Sequence, residues 1–131
     1  ILFTQVAAGL EFLTDTRIGR PLGTFDQPHP ERAESRASER SLINIRLSLE
    51  ALKGMVQSLT TDAPLTIAAL DRAIGLANKL NDPVLAGVSE PQGWLKVQIL
   101  QQSITAVREA ALAELAPKLG VGVGFNAADG D

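Results

Sequence analysis

A chain with one histidine, no cysteine and no tyrosine has few ways to do chemistry. The histidine, His29, stands between two prolines in Gln27-Pro28-His29-Pro30-Glu31. Imidazole is a common metal ligand and general base, yet nothing beside His29 completes a site. Neither a His-x-x-x-His nor a Glu-x-x-His pair occurs, so no self-contained metal centre is encoded. His29 is read as a solvated loop residue, and no catalytic residue is assigned.

Small polar residues form a subtler pattern. Ser35, Ser38, Ser41, Asn44 and Ser48 recur every three or four positions. Solvated helix faces favour Lys, Glu and Gln, because Ser and Asn are poorer helix formers. Such a stripe fits the wall of a wet cleft or a contact with another polar surface, and equally an unselected neutral surface. Glu34, Arg36, Glu39 and Arg40 around it read as solvated ion-pair positions, each worth little. Glu11, Asp15 and Arg17 lie late in the first apolar segment. An acid there opposes the helix dipole, so Asp15 is expected to pair with Arg17 or Arg20.

The chain ends Leu119-Gly-Val-Gly-Val-Gly-Phe-Asn-Ala-Ala-Asp-Gly-Asp131. Its glycines cannot extend a helix cheaply. Asn126, Asp129 and Asp131 carry oxygen ligands that faintly resemble a hard-cation loop, without the length or closing Glu of an EF-hand. The better reading is a polar segment docked by Phe125 into an apolar notch.

Four helical segments must position these groups. Phe3, Val6, Leu10 and Leu13 share one face, and Gly19 with Pro21 is expected to stop that helix near Ile18. Arg20 to about Arg32 holds Pro21, Gly23, Pro28 and Pro30 and reads as irregular. The second helix is read from Ala33 to Leu59, with Leu42, Ile45, Leu49, Leu52, Val56 and Leu59 as its seam. Truncating Leu49 or Leu52 to Ala should cost about 2–5 kcal/mol. The third follows Thr60-Thr61-Asp62, with Pro64 in its first turn, a seam of Ile67, Leu70, Ile74 and Ala77, and a stop at Asn81-Asp82-Pro83. Residues 81 to 92 form a second irregular connection. The last helix is read from Gly93 to Ala116 on Leu100, Ile104, Val107 and Ala111, ended by Pro117 and Gly120. The fold class is all-α: an up-and-down four-helix bundle with an irregular Gly-rich C-terminal segment.

At 131 residues the chain is one domain, able to bury a real core. A net charge of -3 without a basic face gives nucleic-acid binding little support. The lack of cysteine excludes a disulfide scaffold and thiolate metal sites, and suits cytoplasm or cell envelope alike. No segment is long and apolar enough to cross a membrane. Ile1-Leu2-Phe3 opens straight into a helical pattern without a capping residue, so Ile1 is read as an internal residue of a longer protein.

Several motifs coincide with those of a known family. Gly9-Leu10-Glu11-Phe12-Leu13 leads into Asp15-x-Arg17-x-Gly19-Arg20-Pro21-Leu22-Gly23. Glu34-Ser35-Arg36-Ala37-Ser38 precedes the long leucine seam. The chain closes with Glu114-Leu115-Ala116-Pro117 and Gly124-Phe125-Asn126-Ala-x-Asp129-Gly-Asp131. Together these resemble the C-terminal half of an imelysin-family protein, over essentially the whole chain.

That resemblance implies a bacterial envelope protein, periplasmic or lipid-anchored, built from two helical bundles and linked to iron acquisition; the founding member was described as a peptidase. The family's Gly-x-His-x-x-Glu motif, its proposed metal site, belongs to the first half. His29 has Gln27 two before it and Arg32 three after it, so it does not inherit that role. Iron or another divalent metal would then be bound mainly by the N-terminal half, which is the expected partner, alongside other iron-uptake envelope proteins. This chain would supply the second bundle and one wall of an inter-domain site. Arg20, Ser35, Ser38, Asn126 and Asp129 are the polar candidates for that wall.

Three functions follow from different classes. The leading one is a binding wall in an iron-uptake protein. The second is half of a metal-dependent peptidase, with a Glu as base. The third is a non-enzymatic interaction module, which an apolar patch exposed on the first helix would support, although such a patch would equally mark a severed domain interface.

Overall fold

The computed structural model describes residues 2–120. Among them, four helical rods run alternately up and down, and no strand is present. The first rod is continuous through three stretches: α1 (Leu2–Glu11), a π-helical segment (Phe12–Ile18) and α2 (Gly19–Leu22). The others are α3 (Ser41–Leu59), α4 (Pro64–Leu80) and α5 (Pro91–Lys118), with short 3-10 turns at Pro30–Arg32 and Ala86–Ser89.

The π segment follows from the spacing of the apolar residues. Phe3, Val6, Leu10, Leu13, Ile18 and Leu22 are all buried, and their steps are three, four, three, five and four. In an α-helix a step of five overshoots one turn by about 140° and would carry Ile18 off the core face. A π turn, closed by i→i+5 bonds, absorbs that extra residue. Gly19 permits it: a Cβ there would stand 2.7 Å from the Thr14 carbonyl oxygen. The expected stop near Ile18 is thus corrected. Gly19 and Pro21 extend the first rod to Leu22, and Gly23 ends it with φ 55° and ψ -130°.

Cross-contacts set the directions. Gly9 lies against Leu52 and Arg17 against Ser48, so the first rod and α3 are antiparallel. Leu22 meets Trp94, Thr14 meets Gln101 and Glu11 meets Arg108, so the first rod and α5 are antiparallel too. Fully buried Ile45, Leu49, Leu70, Leu100, Ile104 and Leu115 fill the centre.

α3 begins at Ser41 and not near Ala33. Residues 34–40 carry no apolar seam that packing could reward, and they fold as a turn. Ser35 and Glu39 adopt left-handed φ values of 60° and 58°. The Arg40 amide donates to the Ser35 carbonyl at 3.2 Å, and the Ser41 hydroxyl donates to the Glu34 carbonyl at 2.6 Å. Within α3 the seam is as expected, with Ile45, Leu49, Leu52 and Val56 buried and Leu42 and Leu59 packed at its margin.

α4 starts at Pro64 and is ended by Asn81 in the left-handed conformation, φ 51°. Its buried line is Thr66, Leu70, Ala73 and Ala77, while Ile67 and Ile74 flank it. The irregular connection after it is tied by Asp82, whose carboxylate accepts the amides of Ala86 at 3.0 Å and Gly87 at 2.8 Å. α5 starts two residues earlier than expected and includes Pro117 in its last turn. It buries Trp94, Val97, Leu100, Ile104, Val107 and Ala111 along one side.

Candidate functional site

The polar groups of the first rod and of α3 meet at Arg17. The π segment widens the rod and aims this side chain at α3. Arg17 Nη1 donates to Ser48 Oγ at 2.5 Å and to the Asn44 carbonyl at 3.3 Å. Its Nε stands 2.8 Å from Glu34 Oε1 as an ion pair, outside the alignment of a hydrogen bond. The guanidinium carbon lies 5.0 Å from the centroid of the Phe12 ring, within cation–π range.

From Arg17 the network passes outward. Asn44 Nδ2 donates to Ser35 Oγ at 3.2 Å, and Ser38 Oγ donates to the Ser35 carbonyl at 3.1 Å. The serine stripe is therefore gathered into one place, though not along one helix. Ser35, Ser38 and Glu34 are exposed on the turn, while Asn44 and Ser48 lie on α3 beneath them. The hydroxyls of Ser38 and Ser41 donate to backbone carbonyls. The arrangement holds and presents polar groups, and the carboxylate within it, Glu34, is paired with Arg17.

Of the expected wall residues, Ser35 and Ser38 are brought together. Arg20 is exposed on α2, and no hydrogen bond or ion pair within the described residues reaches it. Asn126 and Asp129 lie outside the described residues, as do Phe125 and Ile1. The described chain leaves α5 at Gly120. α5 has 28 residues, about 40 Å of helix, and its first turn is the part that meets the end of the first rod. Gly120 is therefore at the opposite end of the bundle from Arg20.

The expected partner of Asp15 is corrected. Its Oδ1 accepts the Thr14 hydroxyl at 3.2 Å, while Arg17 turns to Glu34 and Ser48 because the π turn points it there. Glu34 itself pairs across to Arg17 and not within its own run. His29 is held more firmly than a solvated loop residue. Its amide donates to the Pro21 carbonyl at 2.8 Å, and Nδ1 is 3.3 Å from Glu31 Oε2. The Glu31 carboxyl lies below its ordinary value, first through its own backbone amide and then through His29. Among the described residues no three His, Cys, Asp or Glu side chains converge to hold a metal ion.

Trp94 was not singled out from sequence, yet it anchors the turn next to this site. Its indole N–H donates to the Leu22 carbonyl at 2.8 Å, and Phe25 packs edge-on against it with centroids 5.4 Å apart. A lone tryptophan in the first turn of a helix was the available signal. Phe12 on the first rod is a large apolar side chain left 43% exposed.

No curated protein and no solved structure matches the chain. The family model of imelysin matches residues 1–112, which take in the first rod with its π turn, the Arg17 network and α5 as far as Leu112. The chain belongs to the imelysin family.

Proposed function

We propose that this chain is the C-terminal helical half of an imelysin-like cell-envelope protein that supports iron acquisition, and that it contributes a binding wall and not the reacting groups. The observation that carries this reading is the Arg17 network. It gathers Glu34, Ser35, Asn44 and Ser48 into one polar station in which the Ser35 hydroxyl accepts from the Asn44 amide and the Ser48 hydroxyl from the Arg17 guanidinium. Ser35 and Ser38 form the exposed part of the wall, with Arg20 nearby in sequence. Imelysin-family proteins are generally extracellular or periplasmic, and no helix among the described residues is long and apolar enough to cross a membrane. The family's usual location supports placement in the periplasm or envelope.

The test compares ferrous and ferric binding by the 131-residue chain with binding by the protein that includes the upstream half. Binding by the longer protein, with at least about a tenfold loss in the chain alone, is expected. Equal, tight binding by the chain alone would contradict the assignment. Chelator-sensitive peptide cleavage by the longer protein would replace it with the peptidase reading.

A further inference from the structure

The chain carries a net charge of -3, yet one groove of the bundle is bordered by cations that pair with nothing. Lys79 near the end of α4 and Lys96 near the start of α5 are exposed, and neither makes a hydrogen bond or ion pair with any described residue. Arg17, Lys53 and Lys118 differ from them, since each has an acid. Arg72 stands seven residues before Lys79, two turns earlier on the same side of α4. It too is exposed and unpaired among the described residues. Its neighbour Asp71 turns the other way, to Lys53 on α3.

Lys79 and Lys96 stand on neighbouring helices at a groove whose lining is completed by Leu76, Leu80 and Ile99. None of these lining residues is acidic. Leu76 and Leu80 are half-buried, and Ile99 is 44% exposed. Along α5, steps of four, three and four lead from Ile99 to Ser103, Ala106 and Ala110 on one side of the helix. These residues are small, and the Ser103 hydroxyl already donates to the Leu100 carbonyl at 2.6 Å. Glu114, one turn further, is committed to the amides of Leu65 and Thr66. The groove thus has an aliphatic floor, a cation on each rim and a low run of small side chains, about 20 Å from Lys96 to Ala110.

We propose that this groove seats an amphipathic helix of a partner protein, with Glu or Asp on both sides of that helix's apolar face. The placement of charge on two rims selects the occupant. A helix lying between α4 and α5 sets its apolar stripe on Leu76, Leu80 and Ile99, the helix-in-groove mode of recognition. The positions beside that stripe then face Lys79 and Arg72 on one rim and Lys96 on the other, as flanking charges do in coiled coils. A helix with basic flanks would meet like charge on both sides, which fixes the sign of the partner. A bilayer presents a broad surface and would leave the recessed Leu76 and Leu80 unfilled. The groove lies across the bundle from the Arg17 network, which joins the first rod to α3, and it does not depend on the iron-related reading.

The experiment is a fluorescence-anisotropy titration of labelled synthetic helices with the 131-residue chain. The probe is a peptide of about three heptads with Leu at a and d and Glu at e and g; the control carries Lys at e and g. Saturable binding is expected for the Glu peptide, weakening as salt is raised, and not for the Lys peptide. Lys79→Glu combined with Lys96→Glu should weaken the Glu peptide at least about tenfold and let the Lys peptide bind instead. Ile99→Gln should weaken the Glu peptide without changing which charge is preferred. All three positions are exposed, and circular dichroism with urea midpoints reports whether each variant is folded. No saturable binding of the Glu peptide, equal affinity for both peptides, or an unchanged affinity in the folded double variant would each overturn the proposal. So would flotation of the chain with phosphatidylglycerol vesicles that the double variant abolishes, which assigns the face to a membrane. A dimer in sedimentation that the double variant dissolves would likewise replace the partner helix with a second copy.

Discussion

Glu114 on α5 reaches across to the start of α4 and accepts the amide of Thr66 at 2.7 Å. Its second oxygen accepts the amide of Leu65 at 2.9 Å. α4 has no side-chain cap of its own, since Ala63 occupies the cap position. The orphan amides of its first turn are satisfied from another helix, and the carboxylate also suits the positive end of the helix dipole.

This cap makes stability depend on pH. Burial alone would raise the Glu114 pKa, but the amides of Thr66 and Leu65, with Lys118 nearby, hold it below its ordinary value of 4.5. A carboxyl whose pKa is lower in the fold than in the open chain stabilises the fold above the open-chain value. That contribution is lost as pH falls through the folded value. Glu114→Gln should therefore be less stable than the parent at neutral pH, by about 1 kcal/mol, the size of a cap. In urea titrations the gap should close as the pH is taken below 4.5. A constant gap across that range would show that the charge is not what caps α4.

A second prediction concerns the π turn. Gly19→Ala places a methyl 2.7 Å from the Thr14 carbonyl, and should destabilise the chain by about 1–3 kcal/mol. Gly54→Ala is the control. A Cβ there meets nothing within 4 Å, in the exposed middle of α3, so it should stabilise by about 0.5–1 kcal/mol. Opposite shifts of the urea midpoint are the expected result.

Trp94→Phe keeps the aromatic packing on Phe25 but removes the indole donor. The Leu22 carbonyl would then be buried without this partner, at a cost of about 1–3 kcal/mol. Because Trp94 is the only tryptophan, unfolding of the variant is followed by circular dichroism. Gly23 belongs to the same turn: its φ is 55°, and a Cβ would collide with the Gln27 carbonyl oxygen. Gly23→Ala should loosen the same loop.

The helices were legible because Leu42 to Leu59 and Leu100 to Ala111 repeat at helical spacing, and burial follows that spacing directly. The boundary of α3 was not. Ser, Glu and Arg at 34–40 fit a helix surface by spacing alone, and only hydrogen bonds from Ser41 and Arg40 to the preceding carbonyls make them a turn. The π segment shows in the spacing only as the step of five from Leu13 to Ile18, which lies beyond the regular seam of Phe3, Val6, Leu10 and Leu13. At the site, the serines were found from their types. Proximity in sequence pairs Asp15 with Arg17 or Arg20, because the rotation imposed by an inserted residue is a property of the folded rod. Glu114 lies 48 residues from Thr66 in the chain and leaves no local signal of its role at α4.

The Arg17 network gives the last prediction. Glu34 is 45% exposed at its side chain and Arg17 only 22%, so their ion pair is well solvated and worth at most about 1 kcal/mol. Glu34→Gln should change stability by no more than that. Arg17→Met should cost more, about 1–3 kcal/mol, because Ser48 and the Asn44 carbonyl lose a charged donor beneath the surface. Arg17→Lys should not rescue it, since an ammonium cannot serve Ser48, Asn44 and Glu34 in three directions while stacking on Phe12. A double-mutant cycle with Ser48→Ala should return a coupling of about 0.5–1.5 kcal/mol. Should Glu34→Gln cost as much as Arg17→Met, the surface ion pair and not the contact with α3 would be what fixes the π segment in place.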